Sequence, residues 1–185
     1  NLLITSLDPL LQGITLAAAR LVRPDIDIRV DCNWYFMIAS TFLLTFLGAR
    51  RRPALPVGEE SRLRLRAWPT ECDAAWLNHG ALLCHMECGR IDIMVRTGFL
   101  ALARRRGWYL PLAAVSVRFD RPLRRLQRFD LASRIVWWDE TAIWIEHRVT
   151  REGKPVATAL ARNLVREGRQ PVAPDVREGR QPVAP

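Results

Sequence analysis

Residues 68–107 read WPTECDAAWLNHGALLCHMECGRIDIMVRTGFLALARRRG, and the rest of the chain is arranged around this stretch. After Pro69 it passes an acidic turn at Asp73 and runs without another proline to Gly107. From Gly80 to Arg106, Leu83, Met86, Arg90, Ile93 and Met94 recur at three-to-four spacing, and Leu82 and Ile91 widen the apolar stripe, which predicts a helix. Gly98 divides it, leaving Phe99–Arg106 as a second helical piece that Gly107 ends. A helix apolar over so much of its surface needs cover on several sides. A curved sheet supplies it.

Strand patterns lie on both sides. Upstream, Leu63, Leu65 and Ala67 alternate with Arg62, Arg64 and Arg66, the pattern of a half-buried strand. Downstream, Val115, Val117 and Phe119 alternate with Ser116 and Arg118 within Leu112–Phe119. Arg128–Trp138 follows, then Thr141–Val149, where Ile143, Ile145 and His147 face away from Trp144, Glu146 and Arg148. Pro155–Val165 is the last run. The turns at Asp139–Glu140 and Glu152–Gly153–Lys154 are short enough to make their flanking strands antiparallel neighbours. The order is strand, helix, then four strands, an α+β arrangement.

The 185 residues allow one sizeable core with a short appendage. The net charge of +9 comes almost wholly from arginine, since Lys154 is the one lysine, and it favours anionic partners. No aromatic-and-basic signature strand, zinc finger or recognition helix is present, so nucleic acid is not expected as a partner. Cys72, Cys84 and Cys88 lie near His79 and His85 but lack a second short-spaced ligand pair, so no metal is expected. With Cys32 they read as reduced thiols, and with no signal-peptide pattern the expected location is cytoplasmic.

The first 49 residues differ from the rest. Leu10–Leu21 has helical spacing behind Asp8 and Pro9, and Asp25–Val30 alternates apolar with charged residues. Asn33–Gly48, NWYFMIASTFLLTFLG, is uncharged and ends at Arg50–Arg52. It falls short of the roughly 18–20 residues of a spanning helix. Its Trp34–Tyr35 pair and its arginines are membrane-interface features, and they predict contact of residues 33–49 with the inner face of a membrane. Residues 50–61, with Pro53, Pro56 and Gly58, read as a linker to a domain over 62–174. The tail repeats VREGRQPVAP at Val165–Pro174 and Val176–Pro185, and residues 175–185 are expected to lie outside the core.

Two resemblances follow from these residues. NLLITS, DPLLQGIT and NWYFMIASTFLLTFLGA resemble a piece of the p-aminobenzoyl-glutamate transporter family. One such segment cannot build a transporter's midplane site, so the piece implies a fragmentary fusion rather than transport. PTECDAAW, Asn78, GRIDIMVRTG, GWYLP, VRFDRPLRRLQRFDL and WWDETAIWIEHR resemble the hot-dog acyl-CoA thioesterases of the 4-hydroxybenzoyl-CoA thioesterase type. That resemblance implies a hot-dog fold, an antiparallel sheet wrapped around a long central helix, here with an N-terminal apolar helical appendage. It also implies a homodimer with sheets joined edge to edge and the active site at the interface.

The resemblance assigns roles as well. Asp73 matches the acid of the turn, as general base on water or as nucleophile on an acyl thioester, and Leu77–Asn78 match the apolar residue and first Asn. His79 stands where the second Asn belongs, and Glu87 where the family often carries a second acid. The family's His before Leu77 is absent, and Leu82 replaces the usual aromatic. Helix N–H groups would hold the oxyanion. Arg118, Arg121, Arg124 and Arg125 would reach the phosphates of coenzyme A, which enters as part of the substrate and not as a cofactor. The missing His leaves a non-catalytic acyl-CoA-binding or structural dimer as the alternative.

Overall fold

The computed structural model describes residues 32–174. The expected elements at Leu10–Leu21 and Asp25–Val30, and the repeated tail at residues 175–185, lie outside the described residues. Of the two compact units, Asn1–Thr41 and Phe42–Pro185, the second holds the sheet and the two later helices.

Helix α1, Cys32–Arg51, exposes Leu43, Leu44 and Leu47 and buries Ala49. No helix among the described residues is long and apolar enough to cross a membrane. Strand β1, Ser61–Arg66, leads through a 3-10 turn at Pro69–Glu71 to a small hairpin, β2 (Cys72–Asp73) and β3 (Trp76–Leu77). The central helix α2 is His79–Arg96, and α3 is Phe99–Arg106. Gly98 separates them with φ of 76°, a left-handed conformation that costs glycine nothing. Then come β4 (Trp108–Tyr109), β5 (Leu112–Phe119), β6 (Arg128–Trp138), β7 (Ala142–Arg151), β8 (Lys154–Leu164), β9 (Arg166–Glu167) and β10 (Gln170–Pro171).

The main sheet is antiparallel in the order β1-β6-β7-β8-β5. Period-two alternation sends Phe129, Leu131, Ser133 and Ile135 of β6 inward, with Ile143, Ile145, His147 and Val149 of β7. Helix α2 lies on this face and buries Leu82, His85, Met86, Gly89, Ile93 and Met94. Around its first half pack Leu82, Met86, Phe129, Leu131, Val149 and Val156. Around its second half pack Ile93, Phe99, Leu102, Ile135, Ile143, Ile145 and Val165. Each such fully buried side chain contributes about 1.5–3 kcal/mol.

The helix meets the sheet most closely at Gly89, where an added Cβ would stand 2.2 Å from Ser133 Oγ. A polar cluster gathers on a buried carboxylate. Asp92, 0% exposed, takes hydrogen bonds from Arg52 (2.9 Å), Arg96 (3.1 Å) and Ser61, clamping the end of α1 and the start of β1 onto α2.

Strand β5 differs from its sequence pattern. Leu112, Val115 and Phe119 are exposed, and only Val117 is partly covered. The reason is position, since β5 forms the edge of the sheet beyond β8. The first copy of the tail repeat is structural. Its β9 pairs with β4 and with β10, and Val165 is fully buried.

Candidate active site

The acidic turn is held from three directions. Ala74 turns the β2–β3 hairpin with φ of 53°, and Asp73 pairs with Trp76 across it. The next residue after β3, Asn78, is the N-cap of α2 and accepts the Gly80 N–H on its side-chain oxygen at 2.7 Å. Its side-chain nitrogen donates to Asp73 Oδ2. A single amide thus fixes both the carboxylate and the start of the helix, where the dipole favours negative charge.

The third hold is the arginine-rich loop after β5. Leu77 N–H donates to Leu123 O at 2.8 Å, and Arg125 N–H donates to Ala75 O at 2.9 Å. Arg124 bridges to Trp76 through the backbone, and its guanidinium lies 4.9 Å from the Trp76 ring centroid. A cavity of about 410 Å³ opens beside the turn, lined by Trp76, Leu77, His79, Leu82, Phe119, Asp120, Arg121, Pro122, Leu123 and Val156.

The residues singled out in the sequence separate into groups. Asp73 and Asn78 are bonded to one another. His79 lines the cavity with its ring edge-on to Phe119, centroids 4.7 Å apart, while Asp73 stays on the exposed turn outside the lining. Glu87 stands apart. It is nine residues beyond Asn78, about 13 Å along the axis at 1.5 Å per residue, and it accepts Arg90 Nε at 2.7 Å. Arg121 lines the cavity, Arg118 pairs with Asp120 at 3.1 Å, and Arg124 covers Trp76. Arg125 lies close enough to Cys72 for its charge to oppose the upward shift of that thiol, which burial causes and the neighbouring Glu71 reinforces.

Sequence reasoning did not single out Glu71, Phe119 or Asp120, and it noted His85 only beside His79 and the cysteines, not as a partner of Glu71. Glu71 and His85 form a buried pair, Nε2 to Oε2 3.1 Å, with side chains 6% and 5% exposed. The signal available for Asp120 was its place between Phe119 and Arg121 at the end of a strand. For the other pair there was only the acid two residues before Asp73.

An antiparallel sheet wrapped around a central helix, with an acid on the turn that enters that helix, defines a hot-dog protein. Residues 67–178 match the Thioesterase-like superfamily, and the chain belongs to that family. A probable thioesterase of Saccharomyces cerevisiae is 24% identical over 152 residues, covering 76% of this chain and 66% of that protein. A thioesterase of Thermus thermophilus solved in complex with coenzyme A and Zn is 25% identical, with a TM-score of 0.56. The match covers 64% of this chain and 89% of that one. Residues 1–50 match the AbgT putative transporter family. The p-aminobenzoyl-glutamate transport protein of Escherichia coli K12 is 46% identical over 48 residues, 26% of this chain and 9% of that protein. The chain thus spans less than two thirds of either curated relative.

Proposed function

We propose that the chain hydrolyses acyl thioesters of coenzyme A at the Asp73 turn. The observation that carries this reading is the Asn78 side chain, which ties Asp73 to the first turn of α2 beside a cavity lined by Arg121, with Arg124 over its Trp76 wall. Asp73 takes a proton from water as the water oxygen attacks the thioester carbonyl, or attacks that carbonyl itself and is freed by water. The carbonyl oxygen becomes an oxyanion facing the N–H groups that open α2. The carbon–sulfur bond then breaks, and the thiolate of coenzyme A leaves and is protonated. Arg121, with Arg124 and Arg125 on the same loop and Arg118 near the end of β5, meets the phosphates. His79 sits at the cavity wall, where it orients water or the acyl group, and Glu87 has no part in this scheme within one chain because Arg90 holds it away.

The reading includes a homodimer joined through β5. The two edges of the sheet differ: β1 turns Arg62 and Arg64 to solvent, while β5 exposes Leu112, Val115 and Phe119. Arginines guard an edge against pairing, and exposed apolar residues invite it. Phe119 also lines the cavity, so pairing there brings a second copy beside the site. The exposed Leu43, Leu44 and Leu47 of α1, close to Arg50 and Arg51, support lateral contact with an acidic membrane face.

The test is thiol release from a panel of short, medium and long acyl-CoAs by the wild-type chain. Turnover above background supports hydrolysis. Acyl-CoA binding by a folded protein without turnover would instead establish the acyl-binding alternative, which the missing motif His and the position of Asp73 outside the cavity lining favour.

A further inference from the structure

We propose that Glu71 and His85 are a positioning pair that holds the Asp73 turn in register with α2. This proposal rests on the reading of Asp73 as the reacting acid.

Glu71 makes contacts on both sides of the turn. Its carboxylate accepts the Trp68 N–H at 2.9 Å and faces His85 Nε2 at 3.1 Å, while its carbonyl accepts the Asn78 N–H at 2.9 Å. Asn78 is the residue whose side chain reaches Asp73. The Asp73 hairpin is therefore closed at its base by Glu71, and Glu71 is anchored to the second turn of the central helix by one imidazole. The ring lies edge-on to the buried Phe129, centroids 5.3 Å apart. Its other nitrogen, Nδ1, is buried and makes no hydrogen bond among the described residues. The hydrogen belongs on Nε2, where it donates to the carboxylate. An imidazole with one nitrogen spent on the carboxylate and the other left bare in the core is suited to holding Glu71 rather than to passing a proton.

An apolar residue at position 85 would leave a carboxylate that is 6% exposed with the Trp68 N–H alone among these contacts. A buried carboxylate short of partners moves toward water. The base of the hairpin moves with it, and a misplacement of about 1 Å in a reacting group can cost about a hundredfold in rate.

Three variants test this by kinetics and by amide hydrogen exchange over residues 72–78. His85→Leu is expected to lower kcat for acyl-CoA hydrolysis at least about tenfold, with KM little changed. The same variant is expected to speed exchange at the Asn78 amide while leaving β7 and β8 protected. His85→Gln, whose amide nitrogen replaces Nε2 as donor, is expected to restore most of both losses. Glu71→Leu, which removes the acceptor, should match His85→Leu. Unchanged exchange at Asn78 in His85→Leu would overturn the proposal, as would a Gln variant no better than Leu. Exchange reports on the pair even if the wild type proves to have no turnover, so failure of the pair and failure of the hydrolase reading are separable.

Discussion

Gly89→Ala offers a test in which the sign of the effect decides the outcome. On helix propensity alone the substitution stabilises, since alanine is better than glycine in a helix interior by about 1 kcal/mol. The structure predicts the opposite. The new methyl would lie 2.2 Å from Ser133 Oγ, 3.1 Å from a Leu131 methyl and 3.2 Å from Ser133 Cβ. The Ser133 hydroxyl cannot turn away freely, because it is buried and shares a 2.8 Å hydrogen bond with His147 Nδ1. Losing that bond in the core costs about 1–3 kcal/mol. Crowding against Leu131 adds about 1 kcal/mol or more. The net expectation is a loss of about 2 kcal/mol, which is a fall in Tm of about 5–10 °C in a domain of this size.

Thermal denaturation followed by circular dichroism, with urea unfolding as a check, measures the loss. A double-mutant comparison sharpens it. In a Ser133→Ala background the crowding oxygen is gone, so the same change should cost at least about 1 kcal/mol less. A Gly89→Ala protein as stable as the wild type, or more stable, would refute the close approach of α2 to β6.

Three further expectations concern separate parts of the molecule. Burial pushes the His147 imidazole down to about 4, with the Arg90 charge acting in the same direction. Its unfolded value is about 6.5, so on acidification the unfolded chain binds this proton before the folded one. Up to roughly 3 kcal/mol of stability is therefore lost as pH falls from about 6.5 to about 4; urea midpoints at pH 7 and 4.5 should differ less in His147→Gln than in the wild type. Burial also pushes the Cys88 thiol up to about 11, so in a Cys32→Ser background a thiol reagent at pH 8 should label Cys88 only once urea unfolds the domain. Labelling of Cys88 in the native state would contradict that packing. If copies pair through β5, Val115→Arg should convert a species of twice the chain mass into a monomer in sedimentation velocity, whereas Arg64→Ala on the opposite edge should leave the dimer intact.

Much of the fold was legible because local periodicity carries it. The alternation in Arg62–Ala67 and Thr141–Val149, the break at Gly98 and the short turns at Asp139–Glu140 and Glu152–Lys154 all appear in the structure as elements or boundaries. What local pattern cannot carry is pairing at a distance. Nothing in Leu112–Phe119 says that it pairs with β8 and ends as an exposed edge, because its alternation is the same whether or not a helix covers it. Nor does the helical spacing show that Gly89 is where helix and sheet meet, although its missing side chain allows that close approach.

The site shows the same division. Asp73 and Asn78 stood out because they match the acid and the first Asn of the loop in the family the chain resembles, and the structure joins them through one hydrogen bond. Glu71 and His85 are fourteen residues apart, and no local pattern shows that the fold buries them against each other. The clamp on Asp92 was invisible for the same reason, since its partners Arg52 and Ser61 come from 40 and 31 residues upstream. The tail repeat shows how far context governs: its first copy pairs with β4 because Trp108–Tyr109 stands ready to receive it.

If the carboxylate at the turn entering α2 does the chemistry, thiol release depends on it. The most direct measurement is kcat for thiol release from the best acyl-CoA substrate in Asp73→Asn against the wild type, with Tm and acyl-CoA affinity measured on both. The expected result is a fall of about a hundredfold or more with affinity and Tm nearly unchanged. Wild-type turnover that survives intact in the Asn variant would contradict it and place the reacting group elsewhere.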